Sequence, residues 1–303
     1  MIVRWGIEEL PGLLEEVGIE RSFLVAGPRW DSLAIPSAAR WNVVPSDRIV
    51  VPPEVDGILA VGGGSAIDTG KAASAASALP LVSVPTTYSG AEWTTFYGVR
   101  SPDRRQVGGG SGARPVGIVY EPELTLGLSR AESGGTAMNA LAHCVEALYP
   151  GELEVARRGA AGIDRWLPGV LEDGGDLEAR TGLLEAATAA GEALAINGLY
   201  LAHAMAQAVG GTYGLAHGAM NALCLPPAMR FNAEVVPEAM TAVPVERVEE
   251  LARLGGFERL RDFGVHEEDL DDLGAKAAAR PGALANPRPV TPAEVAGLLR
   301  SIW

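Results

Sequence analysis

The stretch Asp56 to Val61 (DGILAV) is apolar almost throughout and runs without a break into Gly62-Gly63-Gly64-Ser65. A short run that is apolar at successive positions has no polar face to give to water. It fits a strand buried between two layers, as in a parallel sheet covered by helices. Three glycines placed directly after it let backbone N–H groups approach a ligand that side chains would hold away. Residues 66–78 (AIDTGKAASAASA) read as a small-residue helix, whose first N–H groups and dipole favour a diphosphate. Ser65 is expected to cap that helix. An ordinary tight turn between strand and helix uses the same residues, and the spacing is not the usual G-x-G-x-x-G. The loop alone therefore leaves both readings open.

Its surroundings extend the pattern. Arg21 to Ala26 (RSFLVA), Leu81 to Val84 and Val116 to Tyr120 are further strands, with helical spacing in 7–17. Beyond about residue 126, Ala, Leu and Glu dominate, with helical periodicity in 135–149, 153–163, 176–195, 197–210, 217–233, 245–254 and 291–302. The expected fold is an α/β Rossmann-like dinucleotide-binding domain over residues 1–125, followed by an all-α helical domain over 126–303. The segments 107–114 and 279–290 read as loops, and 30–56 is too short for the helix and strand usual there.

Composition narrows the partners. Of 303 residues, 48% are hydrophobic, and the formal charge is -14 (24 basic against 38 acidic), which excludes a nucleic-acid footprint. The same balance gives no long-range attraction to an anionic substrate, so an acidic ligand needs a local group of donors. Cys144 and Cys224 lie in apolar helical text and suit a reducing compartment. The first residues lack the pattern of a signal peptide. No apolar run approaches the roughly 20 residues that span a bilayer. A cytoplasmic protein acting on a small molecule is expected, with no membrane or nucleic-acid partner.

Two further clusters carry chemistry. Asp68 and Lys71 fall in the first turns of the helix after the glycine loop. Pro85-Thr86-Thr87-Tyr88-Ser89-Gly90 follows the next strand, where hydroxyls suit ribose or phosphate. In the helical half, Asn139 and His143 share a helix face at i, i+4, and His203 and His217 lie in Gly- and Ala-rich helical text. Each histidine taken singly is more often structural; three together point to a convergent site. Three imidazoles suit Zn2+ or Fe2+, and equally suit proton donation or oxyanion stabilisation. His266, in VHEEDLDD, reads as surface.

Taken in order, VGGGSAIDTGKA, PTTYSGAEWT, YEPELTLGL, GTAMNALAHCVEAL and HAMAQAVGGTYGLAHGAMNALCLP resemble the iron-containing alcohol dehydrogenase superfamily, which shares the dehydroquinate synthase-like fold. The resemblance implies an NAD(H)- or NADP(H)-dependent oxidoreductase, a homodimer, and a cofactor site at Gly62, Gly63, Gly64, Ser65, Asp68, Thr86, Thr87, Ser89 and Thr95. It assigns His143, His203 and His217 to catalysis or to a divalent metal (Fe or Zn). The family's metal-binding aspartate is replaced here by Asn139, a neutral and much poorer donor. Gln207 stands where metal-dependent members often carry another histidine.

The Pro-Thr-Thr-Tyr-Ser-Gly-Ala-Glu loop and the asparagine look most like the maleylacetate reductase subfamily. That activity reduces maleylacetate to 3-oxoadipate in aromatic degradation and does not need a metal. A metal-dependent alcohol or polyol dehydrogenase is the alternative. A dehydroquinate synthase-type lyase is disfavoured, because basic residues are sparse around the histidine blocks. Trp93 stands where a smaller apolar residue is expected, which reshapes the substrate pocket.

The turn after the first of these strands reads Ala26-Gly27-Pro28-Arg29, with no carboxylate to exclude a ribose 2′-phosphate. NADPH is therefore expected to be accepted, with Arg29 as a phosphate contact. Comparing kcat/KM for the two cofactors checks this; a strong preference for NADH would overturn it.

Overall fold

Apolar runs separated by turn residues give a six-stranded, wholly parallel sheet in the first part of the chain. The computed structural model describes residues 1–103 and 105–303 and divides into two units, Met1–Gly127 and Leu128–Trp303.

The first unit contains β1 (Ile2–Trp5), α1 (Leu10–Glu16), β2 (Ser22–Ala26), β3 (Ala39–Trp41), β4 (Gly57–Gly62), α2 (Gly64–Ser77), β5 (Pro80–Pro85), β6 (Tyr97–Arg100), β7 (Gln106–Gly110) and β8 (Arg114–Tyr120). The main sheet has the order β1-β8-β5-β4-β2-β3. Alternate residues of its central strands serve opposite faces. Leu24, Leu59, Val61, Val82 and Val84 pack with Leu10 and Leu13 of α1 on one side. Phe23, Val25, Ile58, Ala60 and Leu81 pack with Ile67 and Ala73 of α2 on the other. Each such side chain contributes about 1.5–3 kcal/mol by leaving water. In register, Ala26 lies opposite Val61 and Gly62 opposite Pro85. The loops after β2, β4 and β5 therefore leave the sheet at one level, and this positions the site.

Two expectations need correction. Residues 30–56 do hold a strand, the three-residue β3, but among the described residues the β2–β3 and β3–β4 crossovers contain no α-helix. Val44, Ile49 and Val51 from the second crossover lie against the sheet face that a helix would otherwise cover. The segment expected as a loop at 107–114 contains β7, paired antiparallel with β6. Backbone pairing needs no side chains, and glycine suits the spot: a Cβ on Gly109 would stand 2.9 Å from the Tyr97 carbonyl oxygen.

The second unit is helical: α3 (Arg130–Ala147), α4 (Glu154–Glu172), α5 (Leu177–Asn197), α6 (Leu201–Tyr213), α7 (His217–Asn232), α8 (Val245–Leu254), α9 (Leu270–Ala278), α10 (Pro281–Leu284) and α11 (Pro292–Ser301). Among the described residues, no helix is long and apolar enough to cross a membrane. The segment read as a loop at 279–290 includes the single turn α10. The neighbouring α9 has a buried stripe, Leu270, Leu273 and Ala277, too short to stand out in periodicity.

α3 is buried from Ser133 to Ala147 except at Thr136, and it packs on α4, α5 and α7. Gly135 and Gly218 bring the start of α7 against its backbone; a Cβ on Gly218 would fall 2.4 Å from the Gly135 carbonyl. α3 starts in a capping box, with Ser129 Oγ accepting from the Glu132 N–H and Glu132 accepting from the Ser129 N–H. Ser129→Ala is expected to cost about 1 kcal/mol. The urea-unfolding midpoint checks this, and an unchanged midpoint would refute it.

Candidate functional site

In the α/β unit the site starts at the glycine loop. Gly62 has φ 142°, a conformation that favours glycine. A Cβ on Gly63 would fall 2.8 Å from Thr87 Cγ2, and one on Gly64 would fall 3.3 Å from Ser89 Oγ. The Thr86 N–H donates to the Gly62 carbonyl at 3.0 Å. The loops after β4 and β5 are thus packed together, which brings Gly62, Gly63, Gly64, Thr86, Thr87 and Ser89 into one neighbourhood. Ser65 does not cap α2. The helix starts one residue earlier, with Gly63 as its extended N-cap and no side-chain cap, and Ser65 lies in the first turn.

The Ala66 and Ile67 N–H groups donate to the Gly63 carbonyl at 2.9 and 3.2 Å, whereas those of Gly64 and Ser65 precede the helical ladder. Thr87 Oγ1 is buried and has no partner among the described residues. A glycine-lined approach, open helix N–H groups and an unpartnered buried hydroxyl fit a pyrophosphate. Thr95 is exposed, and its buried neighbour is Thr94.

Asp68 and Lys71 tie α2 to the chain that follows β5. Asp68 Oδ2 accepts from the Gly98 N–H at 3.2 Å, and Oδ1 lies 3.4 Å from Lys71 Nζ. Lys71 Nζ also donates to Thr94 Oγ1 at 2.7 Å and to the Phe96 carbonyl at 2.9 Å. Burial pulls the Lys71 pKa down, opposed by the charges of Asp68 and Glu92. Burial also lifts the Asp68 carboxyl, opposed chiefly by Lys71, although the Asp68 side chain keeps 28% exposure. Trp93 enters a second chain: its Nε1 donates to Tyr120 OH at 2.8 Å, which donates to the buried Glu92 at 2.8 Å. Arg29 lies over the Trp30 ring, 5.2 Å from its centroid, and lines a hollow of about 290 Å3 with Ser32, Glu123 and Gly127.

In the helical unit α3, α6 and α7 bring His143, His203 and His217 together. The rings of His143 and His203 stack at 4.8 Å, and those of His203 and His217 are 5.7 Å apart. His203 Nδ1 lies 2.6 Å from Glu146 Oε2, and its Nε2 lies 3.3 Å from Asn139 Oδ1. Both ring nitrogens thus face oxygen atoms, one of a carboxylate and one of an amide. Asn221 Nδ2 donates to Asn139 Oδ1 at 2.7 Å and faces His217 Nε2 at 2.9 Å. His143 is buried with Nδ1 unpartnered among the described residues, and burial, then the charges of His203 and His217, hold its pKa well below 6.5. His266 is exposed.

Sequence reasoning missed Glu146 and Asn221. Glu146 is fully buried and also accepts from the N–H groups of Tyr200 at 2.9 Å and Ala202 at 2.8 Å, at the start of α6. Its signal was present in the spacing: Asn139, His143 and Glu146 fall at i, i+4 and i+7 of one helix face.

A divalent metal does not fit these side chains as arranged. Asn139 Oδ1 already faces two nitrogens, and two imidazole rings stack face to face. Among the described residues, no three His, Cys, Asp or Glu side chains are grouped to hold an ion. The Glu146 carboxylate is turned to His203 and the start of α6.

Comparison with known proteins bears on both units. The iron-containing alcohol dehydrogenase family profile matches residues 48–119, and the C-terminal profile of the Fe-containing alcohol dehydrogenase family matches 134–303. Maleylacetate reductase of Pseudomonas knackmussii is 31% identical, covering 98% of this chain and 93% of that one. The crystal structure of maleylacetate reductase from Rhizobium sp. strain MTP-10005 superposes with a TM-score of 0.85 at 26% identity, covering 100% of this chain and 95% of that one. An iron-containing alcohol dehydrogenase from Corynebacterium glutamicum gives 0.87 at 28%, covering 100% and 94%.

Glu146→Leu strips the acceptor from His203 and from the first N–H groups of α6. It is expected to destabilise the protein by about 3–5 kcal/mol. Glu146→Gln, which keeps an acceptor oxygen, should cost clearly less. Denaturant unfolding of both variants checks this, and equal losses would refute it.

Proposed function

The chain belongs to the iron-containing alcohol dehydrogenase family, and on that premise we propose that it is a maleylacetate reductase that uses NADH or NADPH and needs no metal ion. It is an NAD(P)-dependent oxidoreductase. The observation that carries the finer reading is Asn139, which puts a neutral amide, already engaged by Asn221 and His203, where the family resemblance calls for an anionic metal ligand.

The proposed cofactor contacts are the N–H groups at the start of α2 with Gly62, Gly63, Gly64 and Ser65, together with Asp68, Thr86, Thr87, Ser89 and Thr95. Bound there, the reduced nicotinamide supplies a hydride. Adding a hydride to the carbon beta to a conjugated ketone leaves the electron pair on the ketone oxygen as an enolate. Donors that face that oxygen lower the barrier, and a proton returned to the alpha carbon completes the reduction.

His203, held at Nδ1 by Glu146, is suited to turn Nε2 from the Asn139 amide to the enolate oxygen. His217 orients through Asn221. His143, kept neutral by its surroundings, adds no further positive charge to the cluster. Arg29, beside the hollow it shares with Trp30 and Ser32, supports acceptance of a ribose 2′-phosphate.

The grouping of three imidazoles keeps one alternative in view, a metal-dependent alcohol dehydrogenase. Protein purified without added metal should oxidise NADH or NADPH with maleylacetate far faster than with a panel of aldehydes and simple ketones, and chelator should not change the rate. One tightly held zinc or iron per chain, with activity lost on chelation, would establish the alternative instead.

A further inference from the structure

A dicarboxylate substrate sets a requirement that the histidine cluster does not meet: some group must hold its negative charge. With a formal charge of -14, the chain has no general field to attract an anion, so the holding has to be local. Several arginines of the helical unit are already committed to carboxylates: Arg157 to Glu152, Arg230 to Glu249, Arg247 to Asp164 and Glu250, and Arg300 to Asp271.

Arg280 is different. Its Nη1 donates to Gln207 Oε1 at 3.1 Å and its Nη2 to the Gln207 carbonyl at 3.2 Å. Both are neutral oxygens, and among the described residues no carboxylate lies within 4.0 Å of the guanidinium. Nε is buried without an acceptor. The group is half-buried, and burial pulls its pKa down with nothing opposing. A buried donor on a charged group is costly to leave unmet, so this arrangement is suited to an anionic acceptor.

The position is equally specific. Gln207 follows His203 by one turn of α6 and lies on the same face. Helical residues one turn apart are neighbours on the helix surface, so Gln207 and the Arg280 it holds stand next to the turn that carries His203. Two residues beyond Arg280, Gly282 rests on the start of α6; a Cβ there would stand 2.6 Å from the Tyr200 carbonyl oxygen and 3.1 Å from that of Leu199. The chain from 280 to 282 therefore runs back along α6 from Gln207 past the turn of His203.

We propose that Arg280, oriented by Gln207, anchors a carboxylate of the substrate beside the histidine cluster. This rests on reading the substrate as an unsaturated oxo-acid. A guanidinium with two N–H groups held by Gln207 still has others to offer as a fork, and the planar fork matches a carboxylate. Gln207, a neutral acceptor, orients the guanidinium without cancelling its charge, as a carboxylate in the same place would.

The test compares wild type with Arg280→Leu and Arg280→Lys. In Arg280→Leu, KM for maleylacetate should rise about 30-fold, equivalent to about 2 kcal/mol. KM for an uncharged conjugated enone should not move, and Arg280→Lys should recover part of the loss. An unchanged KM for maleylacetate in Arg280→Leu overturns the proposal while leaving the reductase reading intact. If wild type does not reduce maleylacetate, that reading fails, and calorimetric titration with adipate decides Arg280 separately. Adipate bound by wild type and lost in Arg280→Leu supports the anchor. Equal binding by both, or binding by neither, overturns it. Far-ultraviolet circular dichroism of both variants checks folding, and Arg280→Lys supplies the reading if Arg280→Leu does not fold.

Discussion

The helical unit is organised around one buried carboxylate. Glu146 is removed from water entirely, which for an isolated anion costs several kcal/mol. It is tolerated because the N–H groups of Tyr200 and Ala202 and Nδ1 of His203 all converge on it, where the positive end of α6 adds its own field. Because Asn139 and His143 lie on the same face of α3, the contact that holds α6 to α3 also sets the spacing of the imidazoles. The Gly135–Gly218 approach does the same for α7 and His217. The same few contacts that pack α6 and α7 on α3 thus also group the imidazoles.

The α/β unit solves its problem by register. Ala26, Gly62 and Pro85 lie close to one level because β2, β4 and β5 pair in parallel without slip, so the polar loops emerge side by side. Asp68 and Lys71 then hold the chain after β5 against α2. Lys71, buried and fully occupied with Asp68, Thr94 and Phe96, is a fastening and not a phosphate contact.

Much of this was legible in the residues. The apolar runs at 21–26, 56–61, 81–84 and 116–120 became central strands because burial on both faces leaves an unmistakable pattern. The glycine loop and the ordered histidine blocks led to the family. What stayed hidden obeys a different logic. β3 is three residues long and β7 is largely glycine, so neither has enough side chain to show a period. Glu146 reads as one more acidic residue in a helix until α6 supplies its partners from more than fifty positions away. Arg280 was invisible for the opposite reason: its distinction is a buried Nε without an acceptor beside two neutral partners, and no spacing records that. Ser65 misled because a serine after glycines looks like a cap, whereas Gly63 takes that place.

The packing of Gly63 and Gly64 on Thr87 and Ser89 has a consequence for how the sequence can vary. The loops after β4 and β5 are separated by a helix and a strand, yet a side chain added at Gly63 or Gly64 meets Thr87 or Ser89 of the other loop. A methyl group added at Gly63 needs the space that Thr87 Cγ2 now fills. The two segments are therefore heritable as a pair: change in one is tolerated in proportion to compensating change in the other. Drift in this part of the chain is channelled into joint replacements that preserve the gap between them.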